Sequence, residues 1–332
     1  MHPYEKKYSR YKQLVEKRLV AVTQKRKPAS LFEPIAYTLN GGGKRIRPVL
    51  TMLACESVHG KITTAISAAS AIEILHNFTL IHDDIMDNAD MRRGRNSVHK
   101  QFDSNTALLA GDTMVALAYE ELLKTKTSSL QLLHTVFTNG FRNVCEGQQL
   151  DKECQGNNNI SLDDYFAMIE KKTATLFSTA TTMGAIIGND NSREINALKK
   201  FGAYLGIAFQ IQDDYLDVYA TDIEFGKRSG GDIAEGKKTF LTLRALQKLS
   251  GTKKNIFLAL LRTAQQQHNK KEFALYFSEI KTTMNALHIP EDTHKEITHW
   301  TNRSIKALAP LQHTEAKNML TQISLQLVER TF

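Results

Sequence analysis

Apolar residues recur at three- and four-residue steps along almost the whole chain. Near the N-terminus Tyr11, Leu14, Val15, Leu19 and Val22 share one helical face. The pattern breaks in the run GGGKRIRP, residues 41–48, and Pro48 suits the first turn of the helix that follows. A long, largely apolar helix is expected over 63–89, then helices over 104–123 and 128–150. The segment Gly156-Asn-Asn-Asn159 is expected to be a loop, and Ser161-Leu-Asp-Asp164 reads as a capped helix start. Helices are expected over 161–188 and 192–219, a Gly- and charge-rich loop over 226–236, and polar-faced helices over 238–249, 253–268, 271–287, 291–308 and 313–329. Neither a repeat of solenoid period nor a Ser/Pro-rich linker is present, which predicts one domain over 1–332.

Composition narrows the fold class. With 6 prolines and 18 glycines in 332 residues, the chain lacks the turn residues that an all-β sandwich needs every ~8–12 positions. An apolar content of 42% excludes disorder. The expectation is an all-α protein. Forty-three Lys and Arg against 35 Asp and Glu leave a net charge of +8, which suits nucleic acid, an anionic membrane surface or phosphorylated small substrates. Cys55, Cys145 and Cys154 are odd in number and without CxxC spacing, as for reduced thiols. The N-terminus has no apolar signal region and no uninterrupted apolar run reaches 18 residues, so a cytoplasmic protein without stable membrane insertion is expected.

The chemistry concentrates in a repeated pattern. Asp83-Asp84-Ile85-Met86-Asp87 and Asp213-Asp214-Tyr215-Leu216-Asp217 each end an apolar helical run. On a helix the first and last Asp of each set stack one turn apart. Carboxylates that close repel unless a cation lies between them. Oxygen ligands without His or Cys indicate Mg²⁺, which keeps coordination positions for water and substrate phosphate. Basic residues flank both sets: Lys44, Arg45 and Arg47 before the first, Arg92 and Arg93 after it, and Lys227, Arg228, Lys237 and Lys238 after the second. Mg²⁺-bearing carboxylates interleaved with Lys and Arg suit a diphosphate. The run GGGKR lacks P-loop spacing and no βαβ pattern surrounds it. A nucleic-acid protein would show a basic stripe rather than cations interleaved with acids.

The set GGGKRIRP, LIHDDIMDNADMRRG, KKTATLF, FQIQDDYLDVY and FGKRSGGDIAEGKKT resembles the trans-isoprenyl diphosphate synthases, the polyprenyl synthetase family. The matching blocks run from about residue 40 to 240. The resemblance implies an isoprenoid-synthase-type helical bundle around a deep central cavity and a homodimer. It implies an enzyme that joins isopentenyl diphosphate to an allylic diphosphate. Asp83, Asp87 and Asp213, supported by Asp84, Asp214 and Asp217, would hold three Mg²⁺ on the allylic diphosphate. Arg92, Lys172, Lys227 and Lys237 would add positive charge there. Lys44, Arg47, His76 and Arg93 would hold isopentenyl diphosphate, and Thr173 and Gln210 would face the carbocation. Arg45, Arg228 and Lys238 are adjacent to these positions and read as solvated. Gly111-Asp112 resembles a helix-packing block without a catalytic role.

Product length follows from the helix that carries Asp83. Phe78 and Thr79 lie five and four residues before it, about 6–7.5 Å deeper at ~1.5 Å per residue. In this family bulky groups at that level form a floor. One aromatic beside a small Thr resembles synthases of the C20 product, geranylgeranyl diphosphate, with the C15 product, farnesyl diphosphate, as the alternative. Two rivals from other classes remain. A di-iron bundle could draw on Glu73/His76, Glu291/His294 and Glu296/His299. A class I terpene cyclase would replace the second Asp set with an Asn/Ser/Glu-type motif.

Overall fold

The long apolar stretch folds as helix α4, Ile62–Met86, and much of the chain is arranged around it. The computed structural model describes residues 3–157, 159–220, 229–267 and 269–328. The chain divides into two compact units. One comprises Met1–Phe141, Leu176–Gly202 and Ala307–Ile323; the other comprises Arg142–Thr175, Ala203–Lys306 and Ser324–Phe332. The chain passes from one unit to the other several times, so no linker of distinct composition separates them in sequence.

In the first unit α1 (Pro3–Thr23), α2 (Ala29–Leu39), α3 (Ile46–Ser57), the short α5 (Val98–Gln101) and α6 (Ser104–Leu123) pack on α4. Tyr11, Val15, Leu19 and Val22 are buried, as the stripe on α1 requires. On α4, Ala65, Ala68, Ala69 and Ala71 are fully buried and let neighbouring helices approach closely. By length and composition α4 could cross a membrane, but 67% of its most apolar window is buried inside the protein, which makes it a core helix. Asp103 caps α6 through Thr106 N–H at 2.9 Å. A small hairpin, Met91–Arg92 paired with Arg95–Asn96, follows α4. The hydropathy pattern is silent about elements this short.

Helix α7 (Leu130–Gly156) leads to α8 (Leu162–Ile169), which opens with the capping box Ser161/Asp164. The helix expected over 161–188 is interrupted by a π-helical segment, Glu170–Ala174, before α9 (Thr175–Gly188). Then come α10 (Ser192–Tyr219), the one-turn α11 (Gly231–Ala234), α12 (Phe240–Lys248), α13 (Gly251–Gln265), α14 (Lys270–Ala286), α15 (Ile289–Ala307) and α16 (Glu315–Val328). The core of the second unit gathers Tyr165, Ile207, Ile211, Phe240, Phe257 and Ile297. The expected loop over 226–236 contains α11; its first three positions lie outside the described residues.

Candidate active site

Both acidic sets occupy the last two turns of their helices. Asp83 and Asp84 close α4, Asp87 is its C-cap with its N–H on the Asp83 carbonyl at 2.8 Å, and Asp213, Asp214 and Asp217 end α10. Negative charge at a helix C-terminus opposes the helix dipole, at roughly 0.3–1 kcal/mol per group near the surface. Acids placed there are electrostatically prepared for a cation.

Within each set the carboxylates divide into two kinds. Asp84 is 3% exposed and receives the Arg92 fork, from Nε at 3.0 Å and Nη2 at 2.5 Å. Asp214, also 3% exposed, accepts from Tyr165 Oη at 2.7 Å, Gln210 Nε2 at 2.8 Å and the Phe240 N–H at 3.0 Å. Asp217 is buried and accepts from the Asp232 N–H at 3.1 Å. Asp83 and Asp213 are half-buried and Asp87 is exposed. Asp84, Asp214 and Asp217 are thus buried against protein donors, and Asp83, Asp87 and Asp213 are the more exposed carboxylates of the two sets. Hard oxygen donors of this kind suit Mg²⁺. Among the described residues no three His, Cys, Asp or Glu side chains close into a complete metal cage. Mg²⁺ needs none, because water and phosphate fill its remaining positions.

The glycine run near residue 42 shapes an arginine cluster. Arg93 and Gly94 form the hairpin turn with φ of 52° and 73°. From that turn Arg93 Nη1 donates to the Gly42 carbonyl at 2.5 Å. Gly42 and Gly43 have φ of 77° and 125°, and a Cβ on Gly43 would lie 3.1 Å from the Arg93 guanidinium. The glycines thus make room for an arginine. Arg47 Nη1 donates to His76 Nε2 at 3.2 Å, and its guanidinium lies 4.5 Å from the Phe177 ring centroid. Burial, followed by the charges of Arg47, Arg93, Arg92 and Arg45, pushes the His76 imidazole well below its usual pKa. His76 is therefore neutral, and as acceptor at Nε2 it orients Arg47 without cancelling its charge. Lys44 is exposed, and its carbonyl accepts from Tyr8 Oη at 2.7 Å.

Arg45 corrects the sequence reading: it is 4% exposed, not solvated. In the left-handed conformation (φ 55°), it donates to Glu73 Oε1 at 2.7 Å and to the Leu39 carbonyl at 2.5 Å. Asn77 Nδ2 also donates to Glu73 Oε1, at 3.1 Å. Glu73 is thus committed to Arg45, and Glu291, His294 and His299 are exposed on α15, which removes the ligand set a di-iron centre needs.

In the second unit the π segment carries Lys172 and Thr173. A Cβ on Gly147 of α7 would lie 2.2 Å from the Lys172 amide nitrogen, and one on Gly206 of α10 would lie 2.4 Å from Ala174 Cα. Only glycine on both neighbours lets the widened turn nest there, a type of distortion common at functional sites. Thr173 Oγ1 donates to Gln210 Oε1 at 2.6 Å, and Gln210 in turn donates to Asp214. Lys172 pairs with Asp151 at 2.5 Å, and Lys237 pairs with Glu235 at 2.5 Å and Asp232 at 3.6 Å. Asp151, Tyr165 and Asp232 were not singled out in the sequence, because single acids and a lone Tyr in ordinary helical spacing carry no local signal. Lys227 and Arg228 lie outside the described residues.

Burial raises the pKa of Asp217 to about 8 and of Asp214 to about 7, with the nearby Asp232 charge adding to each. A carboxyl whose folded pKa exceeds its ordinary 3.8 holds its proton more tightly when folded. Its stabilising contribution is full below about pH 4 and is lost as pH rises through about 8. In chelator, the urea midpoint of the wild type should fall across this window more steeply than that of Asp217→Asn. Equal slopes for the two proteins would refute the assignment.

Phe78 is 8% exposed and meets Phe141 edge-on at 5.5 Å and the His82 ring at 4.7 Å. Thr79 Oγ1 donates to the His76 carbonyl at 2.8 Å. Gly111 of α6 lies directly under the His82 ring, in keeping with a packing role.

A family model described as polyprenyl synthetase matches residues 28–277. A geranylgeranyl diphosphate synthase of Methanosarcina mazei is 39% identical over 233 residues, covering 70% of this chain and 71% of that protein. A geranylfarnesyl diphosphate synthase of Natronomonas pharaonis is 39% identical over 241 residues, covering 66% of this chain and 70% of that one. The crystal structure of a geranylgeranyl pyrophosphate synthetase from Pyrococcus horikoshii matches with a TM-score of 0.91 at 30% identity, covering 98% of this chain and 99% of that one.

Proposed function

Because the chain belongs to the polyprenyl synthetase family, we propose that it is a trans-prenyltransferase that joins isopentenyl diphosphate head-to-tail to an allylic diphosphate. The observation that carries this reading is the acidic set repeated at the C-terminal end of an apolar helix, Asp83–Asp87 on α4 and Asp213–Asp217 on α10. Mg²⁺ on Asp83, Asp87 and Asp213, three ions by family resemblance, would neutralise the charge that develops on the leaving diphosphate. Arg92, Lys172 and Lys237 add fixed positive charge for that diphosphate, and by resemblance Lys227 does too. Lys44, Arg47 and Arg93 hold the isopentenyl diphosphate, with His76 orienting Arg47. The allylic C1–O bond breaks with its electron pair on the diphosphate, and the isopentenyl double bond forms the new C–C bond. The proton released passes to the departing diphosphate, so no side chain need act as base. Thr173 and Gln210 supply neutral oxygens to the carbocation.

The family match spans segments of each unit, and residues 1–332 are read as one catalytic domain. A cytoplasmic homodimer follows from the family. The exposed Leu108, Leu109 and Leu123 of α6 and Leu132 of α7 support an apolar contact with a second copy.

The product is C20, geranylgeranyl diphosphate. Phe78, braced by Phe141 and His82, forms the floor that stops the growing chain. Sizing the products made from labelled isopentenyl diphosphate tests this. The wild type should stop at C20, and Phe78→Ala should shift the distribution to longer chains. An unchanged distribution would remove Phe78 from the floor.

A further inference from the structure

The side of residues 236–238 that the reaction does not use is shaped to hold a ligand. A cavity of about 230 Å³ opens between α11, α12 and α13. Its lining carries Lys237, Lys238, Arg262, Gln155 and Gln265, together with Leu246, Leu258 and Leu261. Gln265 packs over Gly236, so this lining is continuous with the turn that precedes Lys237.

The electrostatics are those of an anion site. Lys238, read from the sequence as solvated, is half-buried. Its ammonium is pulled below its usual pKa by burial and then by the Arg262 charge, and both side chains line the cavity. Among the described residues neither pairs with a carboxylate. Of the acids whose charges act on nearby Cys154, Asp151 is bound to Lys172, Glu153 accepts from Gln149, and Asp164 closes the Ser161 capping box. Two like charges held together without a counter-ion favour an anion between them, and the planar Arg262 fork matches phosphate oxygens. Among the described residues no carboxylate lines the cavity, so a bound phosphate needs no metal. The volume is below the ~300 Å³ at which sites for drug-sized ligands begin, which limits the occupant to a few heavy atoms beyond the phosphate. The leucines ask that those atoms be aliphatic.

We propose that this cavity is a second, metal-independent phosphate site whose occupant is a small phosphate monoester bearing a short aliphatic group. It is separate from the Mg²⁺-dependent diphosphate chemistry and does not depend on the product assigned to it.

The test is binding of n-butyl phosphate and of inorganic phosphate to the full chain in excess chelator, followed by calorimetry. Butyl phosphate should bind at least tenfold more tightly than inorganic phosphate, because each buried methylene contributes roughly 0.8 kcal/mol. The double variant K238Q/R262Q should lose that binding by about tenfold or more, a loss of at least ~1.4 kcal/mol. Arg47→Gln, which alters the other phosphate-binding cluster, should retain it. Unchanged affinity in K238Q/R262Q would overturn the site, and equal affinity for the two phosphates would overturn the ligand class. A measurement on the wild type alone gives the same decision: butyl phosphate should protect Lys238 from acetylation, read by mass spectrometry. Equal labelling with and without the ligand would count against the proposal.

Discussion

Replacing Asp83 by alanine is expected to lower kcat by about a thousandfold, the scale of losing one preorganised charge-stabilising group, with the fold intact. Asp83 is half-buried at the C-terminal end of α4, where its charge opposes the helix dipole. Without metal the variant should be as stable as the wild type, within about 0.5 kcal/mol. The neighbouring Asp84→Ala should behave differently. It removes the buried partner of the Arg92 fork and leaves that guanidinium unpaired, so it costs stability as well as rate. Steady-state kinetics beside urea denaturation separates the two. If Asp83→Ala kept more than about a tenth of wild-type kcat, Asp83 would not be holding the metal that drives ionisation.

The second large effect concerns stability. Glu73 and Arg45, 2% and 4% exposed, form an ion pair at 2.7 Å. Removing one partner strands a buried charge. Glu73→Ala should therefore cost about 3–5 kcal/mol, whereas replacing both with apolar residues of similar volume is often nearly neutral. Glu73→Leu combined with Arg45→Met should regain most of what Glu73→Ala loses. Arg45 also anchors the stretch between the glycines and Arg47, so Glu73→Ala should raise the KM for isopentenyl diphosphate more than it lowers kcat. Urea denaturation of the wild type and the two variants checks the energetics. A midpoint for Glu73→Ala within error of the wild type would show that the pair is not structural.

These two residues also mark where the sequence is legible. The acidic sets are visible in one dimension, because Asp-Asp-x-x-Asp at helical spacing is itself the geometric statement. The α1 stripe and the apolar length of α4 are visible for the same reason: burial repeats with the helix period. Partners are not. Arg45 and Glu73 are 28 residues apart, and Tyr165 and Asp214 are 49 apart; no periodicity links such positions. The π segment was hidden as well. KKTATLF has ordinary helical spacing, and what permits the widened turn is the absence of a Cβ at Gly147 and Gly206, on two other helices. The glycines at 41–43 were visible, but their use was not. They accommodate Arg93, which is brought there by a hairpin too short to show a strand pattern. Signals confined to one helix are therefore readable, whereas contacts between helices have to be seen.

Transfer of label from isopentenyl diphosphate tests the assignment as a trans-prenyltransferase. The purified full chain, incubated with labelled isopentenyl diphosphate, Mg²⁺ and a C5, C10 or C15 allylic primer, should incorporate label into longer prenyl diphosphates. Incorporation should cease in excess chelator and return when Mg²⁺ is restored. Failure to incorporate label with any primer in the presence of Mg²⁺, by protein shown to be folded, would contradict it.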